Sequence, residues 1–283
     1  MESSDINWLH VEASSRCNAW CPACPRNKSG YGLADGLVET DLTIDQFKSV
    51  LATLPNLTSI QFCGNHGDPI ISKNILELIG VAIDYSKQIQ IQIHTNGSLR
   101  SKLWWANLAN MLSKVKHEVW FGLDGLLGVH EIYRQGTSFN KVIENATSFI
   151  DNGGYAVWQF IPYGHNEHQT KDCHRMSQKL GFKKFQLAKL HRRNTVAKHF
   201  QTGNEFILEA PKQFQDIIRV VKDYKTVDVK NCMHFSYPSV YLSAQGKLST
   251  CCYQSKNNVD NVNDLLYTMQ DLSNRICLYS CGS

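Results

Sequence analysis

The sequence predicts an α/β fold, a partial (β/α)6 TIM-like barrel that carries a small cysteine-rich C-terminal extension. Three observations lead there. Between residue 7 and about residue 190, short apolar runs alternate with longer segments of helical period, the pattern of βα units around a parallel sheet. Six such apolar runs are spaced along that stretch. Beyond residue 226 the pattern gives way to Pro238, Gly246, two short β-like runs and half of the ten cysteines.

The six strands are expected near Trp8–Glu12, Ser59–Cys63, Ile89–His94, Glu118–Leu123, Ala156–Ile161 and Lys184–Leu187. Helix signals stand between them. Thr43-Ile44-Asp45-Gln46 reads as a capping box ahead of the apolar Phe47, Val50 and Leu51. Asn166 and Glu167 open a polar helix that stops near Gly181, and a last helix is expected around Pro211–Tyr224. A six-unit partial barrel is preferred to an open doubly wound sheet; in either, ligand chemistry belongs at the carboxyl ends of the strands. The two β-like runs of the tail are Ser239–Ser243 and Lys247–Cys251. The tail is too small for a core of its own, so a metal is expected to stabilise it. These features divide the chain into a barrel core over 1–225 and an extension over 226–283.

Composition narrows the function classes. With 42% hydrophobic and 19% charged residues, the chain is an ordinary globular one, and no run of about 18 apolar residues predicts a membrane span. The start, Met1-Glu2-Ser3-Ser4-Asp5, lacks the basic and apolar regions of a secretory signal, so a cytoplasmic location is expected. A formal charge of +4, with its Lys and Arg scattered, argues against nucleic acid as the obligatory partner. Ten cysteines in a reducing compartment point to metal or catalysis rather than disulfides. Three of them sit within eight residues, at Cys17, Cys21 and Cys24, and five lie in the last 52; two separate metal sites are the simplest reading.

The first site follows the first strand. Cys17, Cys21 and Cys24 offer three thiolates at spacings of four and three, and soft thiolates select zinc, copper(I) or iron–sulfur centres. Closed zinc sites and ordinary four-iron clusters take four protein ligands, and no fourth cysteine is near. Three ligands would leave one iron of a cluster open. The rival is a structural zinc loop whose fourth ligand comes from afar, such as His10 or a C-terminal cysteine.

This C-x3-C-x2-C spacing after the first strand of a six-unit βα chain resembles the signature of the radical S-adenosylmethionine superfamily. The resemblance implies a site-differentiated [4Fe–4S] cluster on Cys17, Cys21 and Cys24, whose open iron chelates the methionine moiety of S-adenosylmethionine. An electron from the cluster then breaks the sulfonium carbon–sulfur bond and yields a 5′-deoxyadenosyl radical. It further implies an external electron donor such as flavodoxin or ferredoxin.

Other segments carry the same resemblance. Phe62-Cys63-Gly64-Asn65-His66-Gly67-Asp68-Pro69 is similar to the family's Gly-Gly-Glu motif, with Asp68 in place of Glu and an extra residue between the glycines; it implies that Gly64, Gly67 and Asp68 bind the methionine amine. Glycines admit close backbone approach and a carboxylate complements an ammonium group. Asn96 in Thr95-Asn96-Gly97 and Asp124 in Gly122-Leu123-Asp124-Gly125 stand where the family contacts ribose and carboxylate; as isolated dipeptides both would read as ordinary turns. Tyr133-Arg134-Gln135-Gly136-Thr137-Ser138-Phe139 and Asn166-Glu167-His168 also look like segments of this superfamily, with no chemistry assigned. Ala23 replaces the aromatic residue that often packs by the adenine, and Trp20 is a candidate to compensate. Lys189-Leu190-His191-Arg192-Arg193, after the sixth strand, is either an anion-facing loop or a solvated basic one.

In the tail, Cys232, thirteen residues, Gly246, four residues and Cys251 are similar to the opening of SPASM and twitch extensions, a β-hairpin plus a following helix. The single-cluster twitch form matches better, because a full SPASM pattern needs more cysteines. It implies a second, auxiliary [4Fe–4S] cluster on Cys232, Cys251, Cys277 and Cys281, with Cys252 the alternative to Cys251; a four-cysteine zinc site is the rival. Such a saturated cluster moves electrons, so the expected function is a radical oxidoreductase that abstracts hydrogen from an unactivated C–H bond of a peptide or small polar substrate. The alternatives are a radical epimerase with Cys63 or Cys173 as hydrogen donor, and a non-enzymatic zinc-stabilised binding protein.

Overall fold

The computed structural model describes residues 2–188, 194–212, 239–251 and 259–266, and the backbone of 227–228 and 276–277. The chain order is β1 (Trp8–Val11), α1 (Ile44–Leu51), β2 (Ser59–Phe62), α2 (Ile75–Tyr85), β3 (Gln90–Thr95), α3 (Lys102–Leu112), β4 (Lys116–Gly122), α4 (His130–Tyr133), α5 (Phe139–Asp151), β5 (Ala156–Phe160), α6 (Thr170–Lys179) and β6 (Lys184–Leu187). There follow β7 (Thr195–Lys198), β8 (Glu205–Leu208), β9 (Val227–Asp228), β10 (Ser239–Leu242), β11 (Leu248–Ser249) and β12 (Ile276–Cys277). All six predicted barrel strands are present, within two residues at each end. The basic segment at 189–193 and nearly all of the expected helix around Pro211–Tyr224 lie outside the described residues.

Strands β1 to β6 pair in parallel in sequence order, and the sheet stays open, as in a partial barrel. Alternation explains the two faces. In β3, Ile91, Ile93 and Thr95 are buried while Gln90, Gln92 and His94 are half-buried. The isoleucines join the main core beneath the helices, with Leu78, Ile79 and Ala82 of α2 and Trp105, Leu108 and Leu112 of α3. Each such buried aliphatic side chain contributes about 1.5–3 kcal/mol. The opposite, half-buried face is polar and lines the barrel interior, where Gln61 Nε2 lies 3.0 Å from His94 Nε2 and the His94 ring stacks on Trp120.

The capping box at α1 forms: Gln46 N donates to Thr43 Oγ1 at 3.2 Å and Thr43 N to Gln46 Oε1 at 3.0 Å. The predicted tail hairpin is also present as β10 and β11, and residues 262–266 after it are helical. Its first strand does something the sequence did not announce. β10 pairs in parallel with β1, Tyr241 opposite His10, and extends the barrel sheet to eight strands in the order β11-β10-β1-β2-β3-β4-β5-β6. A second hairpin, β7 with β8, crosses near the cysteine loop, where Phe200 N donates to Gln135 Oε1 and the Phe200 ring stacks on Trp20.

Candidate functional site

At the carboxyl ends of β1 to β5 the loops enclose a cavity of about 490 Å³. Cys17, Cys21 and Cys24 line it from the loop after β1; Cys63, Gly64, His66, Gly67 and Asp68 from the loop after β2; His94, Thr95 and Asn96 from the end of β3; Arg134 from beyond β4; and Gln159 and Ile161 from the end of β5. Sequence-predicted Cys17, Cys21, Cys24, Gly64, Gly67, Asp68 and Asn96 therefore come together on one cavity.

The cysteine loop is held by its own backbone and by a buried cation. Cys24 N donates to the Cys21 carbonyl and Asn27 N to the Cys24 carbonyl, a compact turn that brings three thiols to one side. Arg26, 3% exposed, donates to the Ser15 carbonyl, to the His66 carbonyl at 3.0 Å and to Glu39, which ties the cysteine loop to the glycine loop. Burial pushes the Cys21 thiol up to about 12 despite the opposing pull of Arg134, and pushes Cys17 up further, with Asp68 adding to it. Thiolates in such a place need a strong cation, which a bound metal supplies. Among the described residues no three His, Cys, Asp or Glu side chains converge on a point for a single metal ion. The donor chemistry, three sulfurs on one wall of a cavity that also has a glycine wall, fits an iron–sulfur cluster with a ligand beside it.

The glycine wall is demanded by packing. A Cβ on Gly64 would stand 2.2 Å from the Gly67 carbonyl oxygen, and one on Gly67 would stand 1.8 Å from the Ser14 carbonyl oxygen. The loop thus runs backbone against backbone along the cysteine loop, with Asp68 N donating to the Arg16 carbonyl at 2.8 Å. Asp68 itself is buried and occupied. Its oxygens accept from Thr95 Oγ1 at 2.8 and 3.0 Å, from Asn96 N at 2.7 Å and from Ile70 N at 3.0 Å. Burial raises its pKa against those donors. The carboxylate locks the loops after β2 and β3 together. Asn96 in turn donates through Nδ2 to Asn18 Oδ1 at 3.0 Å and lies 3.8 Å from Cys17 Sγ.

Asp124 is placed differently from the other expected binding residues: it does not line the cavity. Wholly buried behind the wall, it accepts from Ile161 N through Oδ1 at 2.6 Å and from Arg134 Nε through Oδ2 at 2.6 Å. Arg134 is the cavity-facing member of that pair and also reaches Cys21. The sequence had marked its segment without assigning it a role. Glu12, buried just after β1 and hydrogen-bonded to the glycine loop, stands in the sequence only as the last residue of the first expected strand.

Trp20 stacks on Phe200 at 5.7 Å and is absent from the cavity wall; Tyr133, in ring contact with Tyr163 at 4.7 Å, lines it instead. On β5, Gln159 faces the cavity while Trp158 is buried in the core, donating to the Leu123 carbonyl. Cys63 lines the cavity, and Cys173 is buried on α6. Of the tail cysteines, Cys251 is buried just after β11, with Ser249 Oγ donating to its carbonyl, and Cys277 lies in β12 opposite Val227. Cys232, Cys252 and Cys281 lie outside the described residues.

No protein-family profile matches the chain. Over 100 residues it is 27% identical to GTP 3′,8-cyclase of Aliarcobacter butzleri strain RM4018, a match that spans 35% of this chain and 29% of that protein's length. Among solved structures, it superposes on anSMEcpe with bound AdoMet at a TM-score of 0.62 and 18% identity, over 94% of this chain and 77% of the other. With Streptococcus suis SuiB bound to S-adenosylmethionine the TM-score is 0.66 at 14% identity, over 95% of this chain and 65% of the other. The chain shares the partial-barrel α/β fold of these S-adenosylmethionine-bound structures.

Proposed function

We propose that the chain is a radical S-adenosylmethionine enzyme that removes hydrogen from an unactivated C–H bond of a peptide or small polar substrate, with net oxidation. The observation that carries this reading is the meeting of Cys17, Cys21 and Cys24 with the Gly64–Asp68 loop on one cavity at the strand ends. A [4Fe–4S] cluster on those thiolates would pass one electron, taken from a flavodoxin- or ferredoxin-like donor, to the sulfonium, giving methionine and a 5′-deoxyadenosyl radical.

The chain's own residues bind and orient. Gly64 and Gly67 present bare backbone to the methionine moiety, and Arg134, held by Asp124, is the cation for its carboxylate. Asn96 supplies amide hydrogen bonding beside Cys17. Gln61, His94 and Gln159 give the interior a polar but uncharged face toward substrate, since burial lowers the His94 pKa to about 4. Cys232, Cys251, Cys277 and Cys281 would hold an auxiliary cluster, which would supply an acceptor for the second electron of the oxidation once the substrate has given up one hydrogen atom, with the second proton released to solvent. SuiB bound to its precursor peptide SuiA and anSMEcpe with the Cp18Cys peptide share the fold and lend weight to the peptide class.

Epimerisation, in which a thiol returns a hydrogen atom, is favoured by one observation: Cys63 lines the cavity. Anaerobic reconstitution with iron and sulfide tests the main reading. A paramagnetic reduced cluster whose spectrum changes on adding S-adenosylmethionine supports it, whereas a colourless protein that retains zinc and ignores S-adenosylmethionine makes it the zinc-stabilised binding protein.

A further inference from the structure

We propose that Glu12 and Tyr241 form a positioning pair that holds the Gly64–Asp68 loop in its cofactor-receiving shape and makes that shape depend on docking of the tail strand. The inference rests on the reading that this loop receives S-adenosylmethionine. Both side chains are 2% exposed. Glu12 Oε1 accepts from His66 N at 2.6 Å and Gly67 N at 3.1 Å, and Glu12 Oε2 accepts from the Tyr241 hydroxyl at 2.5 Å. One carboxylate thus receives two loop amides and one phenol.

Two residues earlier on the same face of β1, His10 Nε2 meets the Cys63 carbonyl at 2.5 Å, and its ring packs edge-on against Tyr241 at 5.0 Å. Loop positions 63, 66 and 67 are therefore held by His10 of β1 and by Glu12 directly after it, and both lean on Tyr241. Tyr241 belongs to β10, which pairs with β1 and leads through β11 into Cys251. Backbone amides left buried without an acceptor are costly, and hydrogen bonds to an ionised carboxylate are the strong kind, so releasing Oε2 lets the carboxylate turn and loosens its grip on the loop.

The test uses the reconstituted full chain, with Tyr241→Phe compared with wild type and with Tyr85→Phe, which deletes a hydroxyl bonded to Leu54 and Leu57 far from the loop. Hydrogen exchange of residues 63–68 is followed without ligand, and S-adenosylmethionine binding by equilibrium dialysis. Tyr241→Phe is expected to speed exchange in the loop and weaken binding about five- to tenfold at unchanged iron content, with Tyr85→Phe doing neither. Glu12→Gln, which keeps an acceptor for the amides, should lie between wild type and Glu12→Ala. Unchanged exchange and unchanged affinity in Tyr241→Phe overturn the proposal and leave the cofactor reading intact. Faster exchange in a protein whose wild type binds no S-adenosylmethionine upholds the clasp and overturns the cofactor reading.

Discussion

Arg134 donates through Nε to Oδ2 of Asp124 across 2.6 Å, and the accepting carboxylate is wholly buried while the guanidinium faces the cavity. The second carboxylate oxygen is taken by Ile161 N, so the aspartate fixes the cation rather than offering itself to a ligand. Removing either partner strands the other in a site of low polarity. Asp124→Ala is expected to destabilise the fold by about 3–5 kcal/mol, read from urea unfolding. Arg134→Gln should weaken binding of S-adenosylmethionine more than that of its decarboxylated analogue.

His130 lies fully buried under the same pair; its Nδ1 accepts from Asp124 N at 3.2 Å, and Nε2 lies 3.0 Å from Thr137 Oγ1. Burial, with Arg134 nearby, lowers its pKa from 6.5 to about 3. Between those values the unfolded chain binds a proton that the folded chain refuses, so stability is present above pH 6.5 and is lost as pH falls toward 3. From pH 7 to 5 this single group should remove about 2 kcal/mol. His130→Gln is expected to flatten that part of the pH dependence of the urea midpoint; an unchanged slope would remove His130 as its source.

Gly67 and Gly80 should respond oppositely to alanine. A Cβ at Gly67 collides with the Ser14 carbonyl, so Gly67→Ala should lower the melting temperature and abolish S-adenosylmethionine binding. At Gly80, in α2, the nearest atom is the Met111 methyl at 3.4 Å, and replacing a helical glycine there should stabilise by about 0.5–1 kcal/mol. Thermal melts of the two variants make the comparison.

Iron content separates the two expected centres. With alanine at Cys17, Cys21 and Cys24, the reconstituted protein should keep about four iron atoms per chain in the tail, and with alanine at Cys232, Cys251, Cys277 and Cys281 about four at the barrel. Iron lost wholly with either set would merge the two sites into one.

The barrel was legible because its determinants are local. Alternation in β3 and the apolar run in β5 specify buried strands, and Thr43 with Gln46 fixes the start of α1, wherever the rest of the chain goes. The cysteine spacing and the glycine loop were legible for the same reason. The partners of buried charge were not: Glu12 finds its acceptor role 54 residues away at His66 and 229 away at Tyr241, and no local period encodes the pairing of β10 with β1. The β7–β8 hairpin was missed although its signal was present, in β-branched Thr195 and Val196 and the turn glycine Gly203 before Glu205–Leu208. Trp20, a candidate from sequence to compensate for Ala23, instead has a ring partner, Phe200, beside the β7–β8 hairpin.

The most direct measurement is formation of 5′-deoxyadenosine. The protein is reconstituted anaerobically with iron and sulfide, reduced with dithionite and given S-adenosylmethionine, beside a variant with alanine at Cys17, Cys21 and Cys24. The intact chain is expected to give 5′-deoxyadenosine and methionine, and the variant neither. A protein that takes up no iron, retains zinc and leaves S-adenosylmethionine uncleaved would contradict this expectation.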